Sequence, residues 1–395
     1  VKPDGWHDAA FFNMCRPLEM VFSNGYDNGE IASIQTGNVE SFQSFDEFME
    51  AYRKQMLYNI ELMVNADNAI DYAHAKLAPL PFESCLVDDC IKRGMSAQEG
   101  GAIYNFTGPQ GFGIANVADS LYTIKKLVFE EKRITMGELK KALEMNYGKG
   151  LDATTAGDIA MQVAKGLKDA GQEVGPDVIA NTIRQGLPED VRKRYEEIHE
   201  MILELPKYGN DIDEVDELAR EAAYFYTRPL ETFKNPRGGM YQAGLYPVSA
   251  NVPLGAQTGA TPDGRLAHTP VADGVGPTSG FDISGPTASC NSVAKLDHAI
   301  ASNGTLFNMK MHPTAMAGEK GLESFISLIR GYFDQQGMHM QFNVVDRATL
   351  LDAQAHPEKY SGLIVRVAGY SALFTTLSKS LQDDIIKRTE QADNR

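Results

Sequence analysis

The sequence predicts an α/β fold of enzyme size. Its 395 residues are 43% hydrophobic and 23% charged, an ordinary globular composition with length for roughly two or three domains. Residues 44–233 show mainly helical periodicity, whereas the last third alternates short strands with helices. Between these regions, residues 237–290 are dense in Gly and Pro, a pattern typical of ordered functional loops.

The first half is predicted to be mainly helical. Ser44 with Glu47 forms a capping box and begins a long helix, and Thr135 with Glu138 repeats that signature. The polar composition of 149–205 indicates a helical insertion. Further segments are predicted as helices over 115–132, 189–205 and 212–233, as a strand over 102–106 and as a loop over 107–113.

The second half is predicted to alternate. Strands are expected over 305–312, 338–345 and 363–367, and helices over 319–333, 349–356 and 376–389. Within 338–345, the polar side chains of His339, Gln341 and Asn343 share one face because alternate residues of a strand point the same way. The apolar strand 363–367 is expected to be buried.

Charge and composition exclude several kinds of partner. A formal net charge of -16 disfavours nucleic acid and anionic membrane surfaces. We find no apolar run long enough for a membrane span and no signal peptide at the start, so a cytoplasmic protein is expected. The four cysteines contain no C-x-x-C pair, and no metal site is predicted.

Common catalytic motifs are missing from the sequence. The glycines of 108–113 match neither the P-loop nor the dinucleotide-binding spacing, and no G-x-S-x-G or H-E-x-x-H motif occurs. One segment is distinctive: the strand 363–367 runs into a turn that contains Gly369. By itself this is a strand ended by a glycine turn, which is a common arrangement.

The sequence of that turn carries a family resemblance. Arg366-Val367-Ala368-Gly369-Tyr370-Ser371 resembles the radical-bearing loop of the glycyl radical enzymes, which include pyruvate formate-lyase and the propanediol and glycerol dehydratases. The resemblance extends over most of the chain, through segments 100–106, 206–211, 249–255, 259–265, 285–288 and 340–343. The sequence is therefore identified as a member of this family.

The resemblance implies a radical stored on Gly369. An unsubstituted glycine carbon between an amide nitrogen and a carbonyl delocalises the radical both ways, and no Cβ hinders its flattening. A separate iron–sulfur activating enzyme that uses S-adenosylmethionine is expected to install it, without any bound cofactor. The surrounding residues of the loop are expected to support it: Arg366, Val367, Ala368, Tyr370 and Ser371.

The resemblance also implies the architecture. The family fold is a ten-stranded β/α barrel made of two antiparallel five-stranded halves, and this chain is expected to supply the C-terminal half. Residues 1–270 are assigned to the pyruvate formate-lyase-like barrel domain and 271–395 to the glycyl radical domain. A half-barrel exposes strand edges, so the N-terminal half and a homodimeric partner are expected.

The sequence departs from the family at the catalytic thiol. The family's thiyl cysteine lies in a G-C-V-E-like loop, and neither the surroundings of Cys15 nor those of Cys290 match it. We therefore expect the chain to be the C-terminal part of a longer enzyme that supplies this cysteine. Alone, the chain is expected to be inactive.

Ala368 and Ser371 point to the dehydratase and decarboxylase branch. Dehydration of a small diol, 1,2-propanediol or glycerol, to an aldehyde and water is the preferred prediction. Alternatives are arylacetate decarboxylation, C–N or C–S cleavage, formate C-acetyltransferase-like chemistry, and a non-catalytic replacement part for a damaged radical domain. A bacterial microcompartment is an alternative location. Candidate pocket-lining residues are His339, Gln341, Asn343, Ser249 and Asn251, although structural hydrogen bonding inside the barrel is the preferred interpretation of these side chains.

Overall fold

The computed structural model describes residues 9–27, 29–149, 163–164, 167–168, 174–175, 178 and 188–391. Its α-helices are α1 (Cys15–Phe22), α2 (Phe45–Leu77), α3 (Pro81–Leu86), α4 (Cys90–Arg93), α5 (Ile114–Thr123), α6 (Met136–Glu144), α7 (Glu189–Leu203), α8 (Asp213–Leu230), α9 (Asn251–Gly255), α10 (Pro286–Ala294), α11 (Gly318–Asp334), α12 (Arg347–Ala355) and α13 (Lys379–Lys387). Its strands are β1 (Phe11–Asn13), β2 (Tyr26–Asp27), β3 (Glu30–Ile31), β4 (Gln110–Phe112), β5 (Gly244–Leu245), β6 (Gly304–Thr305), β7 (Asn308–Met311), β8 (Gln341–Val344), β9 (Ile364–Arg366), β10 (Ser371–Leu373) and β11 (Glu390–Gln391).

Two parallel sheets form the framework. One has the order β1-β4-β5-β6 and the other the order β11-β7-β8, with every pairing in both sheets parallel. Leu306 and Phe307 carry the chain between them: Leu306 N–H donates to Leu245 O at 3.2 Å, and Phe307 O accepts from Gln341 N–H at 2.9 Å. The α/β class is confirmed, while the ten-stranded barrel stays a prediction.

The helices begin where their capping signals lie. Ser44 Oγ accepts from Glu47 N–H at 3.2 Å and starts α2, although the Glu47 carboxylate bonds Gln43 N–H rather than completing the box at Ser44. The Thr135 box is complete, because Glu138 also accepts from Thr135 N–H at 2.8 Å. Helix α5 is buried along its whole length, contacts α1 and α8, and continues into a π-helical segment, Ile124–Glu130.

Two predicted strands are placed differently by the structure. Residues 102–106 form no strand, and β4 lies in the stretch predicted as a loop. Gly111 suits β4 because the Tyr226 ring approaches its backbone so closely that a Cβ would lie 2.7 Å from Cε1. The predicted strand 305–312 is divided between the two sheets, as β6 and β7.

The remaining differences concern exposure and helix ends. The expectation of a buried strand is met on one face only: Val365 and Val367 are buried, whereas Ile364 is 64% exposed because β9 pairs with β10 alone and one side of that ribbon faces away from the core. Helix α13 begins at 379 because Ser378 Oγ caps it. Much of the predicted insertion 149–205 lies outside the described residues, but α7 confirms its last helix.

None of the described helices is both long and apolar enough to cross a membrane.

The contact between Gly274 and Leu306, in the segment that joins the two sheets, provides a stability test. Gly274 has φ +53° and a Cβ there would overlap the Leu306 carbonyl oxygen, whereas a Cβ at Gly276 would meet nothing closer than 3.6 Å. We expect Gly274→Ala to lower the free energy of unfolding by about 3 kcal/mol and Gly276→Ala by less than about 1 kcal/mol. Urea denaturation of both variants measures this, and equal losses would contradict the packing described.

Candidate active site

Gly369 lies at the turn of a β-hairpin. Strands β9 and β10 pair antiparallel, and Val367 N–H donates to Tyr370 O at 2.9 Å, which leaves Ala368 and Gly369 as the turn. Gly369 has φ +84°, a left-handed conformation that glycine adopts without strain. A Cβ at this position would only touch Leu306 at 3.5 Å. The backbone conformation, rather than lack of space, therefore favours glycine.

Side chains from neighbouring elements hold the hairpin stem. Asn343 on β8 binds both backbone groups of Arg366: its Oδ1 accepts from Arg366 N–H at 2.8 Å and its Nδ2 donates to Arg366 O at 2.7 Å. The Val367 carbonyl accepts from Arg388 Nη1 at 2.9 Å and from Asn308 Nδ2 at 3.2 Å. The stem is thus fixed to β7, to β8 and to the residue after α13.

Gln341 makes the contact to the glycine itself. Its Oε1 accepts from Gly369 N–H at 3.3 Å and from Arg366 Nη2 at 3.2 Å. Arg366 Nη1 also donates to Ser371 Oγ at 3.1 Å, across the two strands. Gln341 and Asn343, which the sequence offers as pocket-lining residues, therefore bind the hairpin directly.

The other three candidate pocket residues make no hydrogen bond to Gly369 within the described part of the chain. His339 Nδ1 accepts from Phe307 N–H at 3.3 Å, and burial together with the Arg366 charge lowers the pKa of its imidazole. Asn251 is buried and donates to Val271 O at 3.3 Å. Among the described residues no hydrogen bond joins Asn251 or Ser249 to the hairpin. Their pocket role stays a prediction.

A buried ion cluster supports the stem from below. Arg388 Nη2 lies 3.1 Å from Asp273 Oδ2 and 3.4 Å from Asp384 Oδ2, with all three side chains largely buried. Burial raises the pKa of the Asp384 carboxyl to about 6, against the opposing effect of the Arg388 charge. Asp273 also accepts from Asn308 Nδ2, so the cluster is joined to the hairpin through two donors to Val367 O.

Exposure changes abruptly at the turn of the hairpin. Val367 and Ala368 are 0% and 3% exposed, whereas Gly369, Tyr370 and Ser371 are exposed in this chain. Cys15, Cys90 and Cys290 are buried and Cys85 is exposed. Burial raises the pKa of Cys290 to about 12 and that of Cys15 above its ordinary value, so neither is poised to ionise.

Comparison with known protein families identifies the chain. Residues 2–255 match the pyruvate formate lyase-like family, and residues 271–375, which include Gly369, match the glycine radical family. The chain belongs to the pyruvate formate lyase-like, glycyl radical enzymes. The predicted membership is confirmed, and the glycine radical match implies a glycyl radical modification.

Known glycyl radical dehydratases resemble the whole chain. A solved structure for 1,2-propanediol dehydration in Roseburia inulinivorans is 98% identical in sequence, with a TM-score of 0.94. The match covers 99% of this chain and 47% of the chain in that structure. The glycerol dehydratase of Clostridium butyricum is 51% identical, with a TM-score of 0.85, over 99% of this chain and 44% of its own. The (2S)-3-sulfopropanediol dehydratase of Klebsiella oxytoca is 38% identical over 98% of this chain and 43% of its own length. The chain thus spans less than half of each relative.

One acidic cluster elsewhere resembles a metal site. Asp211, Asp213 and Asp216 lie close enough to share a cation, but Lys295 Nζ lies 2.6 to 2.8 Å from a carboxylate oxygen of each. The ammonium group occupies the position between them, which gives the cluster a structural ion-pair role.

Sequence reasoning missed the residues beneath the hairpin: Asn308, Asp273, Asp384 and Arg388. The one signal that could have found them is Arg388, a cation in the predicted terminal helix 376–389, whose other face is apolar. Asn308 and Asp273 lie 59 and 94 residues from Val367 in the sequence and carry no local motif.

Asp384 provides a pH test of the ion cluster. Since its folded pKa lies above its unfolded value, its contribution to stability is full below about pH 4 and is lost as the pH rises through about 6. We expect the stability of Asp384→Asn relative to the native chain to rise by about 2–3 kcal/mol between pH 4 and pH 7. Denaturation at several pH values measures this difference.

The neighbouring Asp383 is a matched control. It is more exposed and bonds Lys379 and Gln354, and the hydrogen bond from Gln354 is the main cause that lowers its pKa. The contribution of Asp383 to stability is present above its unfolded pKa and is lost at lower pH. Asp383→Asn should therefore show no gain in stability relative to the native chain between pH 4 and pH 7. A similar gain in both variants would contradict the assignment.

Proposed function

We propose that this chain carries the radical-storing part of a glycyl radical dehydratase acting on a small diol, 1,2-propanediol or glycerol, with release of an aldehyde and water. The observation that carries the proposal is the Gly369 turn, in which a left-handed glycine donates its N–H to Gln341 at the tip of a firmly held hairpin. The similarity to the propanediol and glycerol dehydratases supports the choice of substrate.

Gly369 is proposed to store the radical. Removal of one hydrogen atom from its Cα leaves an unpaired electron shared between the amide nitrogen and the carbonyl. Arg366, Val367, Ala368, Tyr370 and Ser371 form the loop that holds it. Because Gly369 has no Cβ, its carbon can flatten without a clash from a side chain.

The rest of the machinery is proposed to come from outside this chain. Since the chain spans 43–47% of its relatives, the thiyl cysteine is assigned to the portion that it does not cover. That portion would complete a ten-stranded barrel and face the exposed hairpin tip. An activating enzyme that uses S-adenosylmethionine would create the radical, and a homodimer in the cytoplasm or a microcompartment is the proposed assembly.

The proposed domain division places residues 1–270 in the barrel and 271–395 in the radical domain. The two family matches, which end at 255 and begin at 271, support a division in this region. The side chains of His339, Ser249 and Asn251 are proposed to line the pocket.

The proposed reaction balances without an external oxidant or reductant. The radical passes from Gly369 to the cysteine, and the thiyl removes a hydrogen atom from the hydroxyl-bearing carbon of the diol. The neighbouring hydroxyl departs as water, with its proton supplied by an acid and the remaining hydroxyl proton taken by a base. The product radical recovers its hydrogen atom from the cysteine, and the aldehyde forms.

The central test is electron paramagnetic resonance of the activated enzyme containing this chain. We expect a doublet from the single α-hydrogen of Gly369, which collapses when the protein is labelled with α-deuterated glycine. Gly369→Ala should abolish the doublet and reduce turnover to background. Gly362→Ala is the matched control, because a Cβ at Gly362 would meet nothing within 4 Å. A doublet that survives in Gly369→Ala would contradict the proposed radical position.

The substrate is tested by product analysis. The same activated enzyme is supplied separately with 1,2-propanediol, glycerol, (2S)-3-sulfopropanediol and trans-4-hydroxyproline, and carbonyl products are measured by mass spectrometry. We expect aldehyde from one or both of the simple diols, formed at least ten times faster than any product from the other two compounds. The loss of a single polar contact to a substrate is enough to cause a rate difference of this size. Turnover confined to the charged substrates would overturn the diol proposal while leaving the radical proposal intact.

A further inference from the structure

Most hydrogen-bonding groups of the Gln341 side chain already have partners within the protein. Its Oε1 accepts two hydrogen bonds, from Gly369 N–H at 3.3 Å and Arg366 Nη2 at 3.2 Å, and its Nε2 donates to Asn308 Oδ1. A side-chain amide oxygen has two lone pairs, so this oxygen has none left for a substrate hydroxyl. The side chain is also 6% exposed. Its geometry suits a role toward Gly369 better than one toward substrate.

The orientation of the Gln341 amide follows from a chain of contacts that begins at Asp273. An ionised carboxylate only accepts hydrogen bonds, so Asn308 must present Nδ2 to Asp273, where it also reaches Val367 O. The Asn308 oxygen then faces Gln341 and requires Nε2 there. As a result Oε1 is directed at the Gly369 N–H. Arg388 fixes the start of the chain, because its Nη2 lies 3.1 Å from Asp273.

We propose that Gln341 is a positioning residue for Gly369: the relay Asp273–Asn308–Gln341 aims an amide oxygen at the Gly369 N–H and thereby holds the plane of its peptide and increases electron donation from its nitrogen. This inference rests on the proposed function, because it concerns the carbon proposed to store the radical. Hydrogen bonds in such a chain polarise one another, so the carboxylate strengthens the last acceptor. Donation from the nitrogen stabilises an electron-poor carbon radical beside it.

Asn343 provides the matched control within the same strand. It lies two residues away on the same face, is equally buried at 6% exposed, and also carries a side-chain amide. It binds the backbone of Arg366 and makes no hydrogen bond to Gly369. Loss of Asn343 therefore loosens the stem without removing the acceptor at the glycine.

The first experiment needs no radical. Hydrogen exchange with single-residue mass spectrometry is measured on the intact enzyme before activation. We expect Gln341→Met to accelerate exchange of the Gly369 amide about 5- to 10-fold, the size expected for loss of one hydrogen bond. Gln341→Glu keeps an acceptor oxygen and should retain the protection, although its repulsion with Asn308 Oδ1 should lower the melting temperature. Asn343→Ala should accelerate Arg366 more than Gly369.

Two outcomes would overturn the hydrogen-bonding part of the inference. One is unchanged exchange at Gly369 in Gln341→Met. The other is an equal acceleration at Gly369 in Gln341→Met and Asn343→Ala, which would indicate general loosening of the hairpin.

The second experiment uses the activated enzyme labelled with ¹⁵N-glycine. We expect Gln341→Met to alter the ¹⁵N hyperfine coupling of the radical and to shorten its anaerobic lifetime several-fold. Asn343→Ala, which keeps the acceptor at the Gly369 N–H, should change the coupling less than Gln341→Met does. A native coupling and lifetime in Gln341→Met would overturn the positioning role. If the native enzyme itself shows no radical at Gly369, the proposed function fails, and the exchange experiment still decides whether Gln341 holds the amide.

Discussion

The position of the Gly369 carbon depends on side chains that bind the backbone of its hairpin. A two-stranded ribbon such as β9–β10 is only marginally stable by itself. Asn343, Asn308 and Arg388 supply the missing partners of the stem, because buried backbone groups need hydrogen bonds. The hairpin is consequently attached to the parallel sheet β11-β7-β8, which contributes two of these three residues.

The chain after α13 belongs structurally to the same site. Arg388 joins Val367 O to Asp273 and Asp384, and Thr389 and Gln391 then bind Asp282 while β11 pairs with β7. Burying a guanidinium with two carboxylates has a large desolvation cost, which the hydrogen bonds offset only if the geometry is kept. Residues at the end of the described chain therefore control the geometry around a glycine some twenty positions earlier.

The predictions from sequence succeeded where the signal is local. Helices α2 and α6 begin directly after Ser44 and Thr135, and these starts are predictable because an N-cap signal occupies only four consecutive residues. Strand β4 was missed because three buried residues around a glycine show no periodicity. The Gly369 turn was found through its motif, whereas Asn308 and Asp273 were not, since their contacts join residues 35 and 59 positions apart and leave no pattern in the sequence.

The contrast between the buried Val367 and Ala368 and the exposed Gly369 is consistent with the proposal that the Gly369 Cα reacts with a group on another segment. If the whole loop were buried against this chain, nothing could approach its Cα; if it were free, a reacting atom could not be held within the short range that hydrogen transfer requires. The buried Val367 and Ala368 hold the loop in place, and the exposed Gly369 leaves its Cα open to approach. Because Gln341 binds the nitrogen of Gly369, this anchoring leaves the turn accessible. The carbon proposed to store the radical is thus held by its own peptide while its other side stays open to the group that the proposed reaction needs.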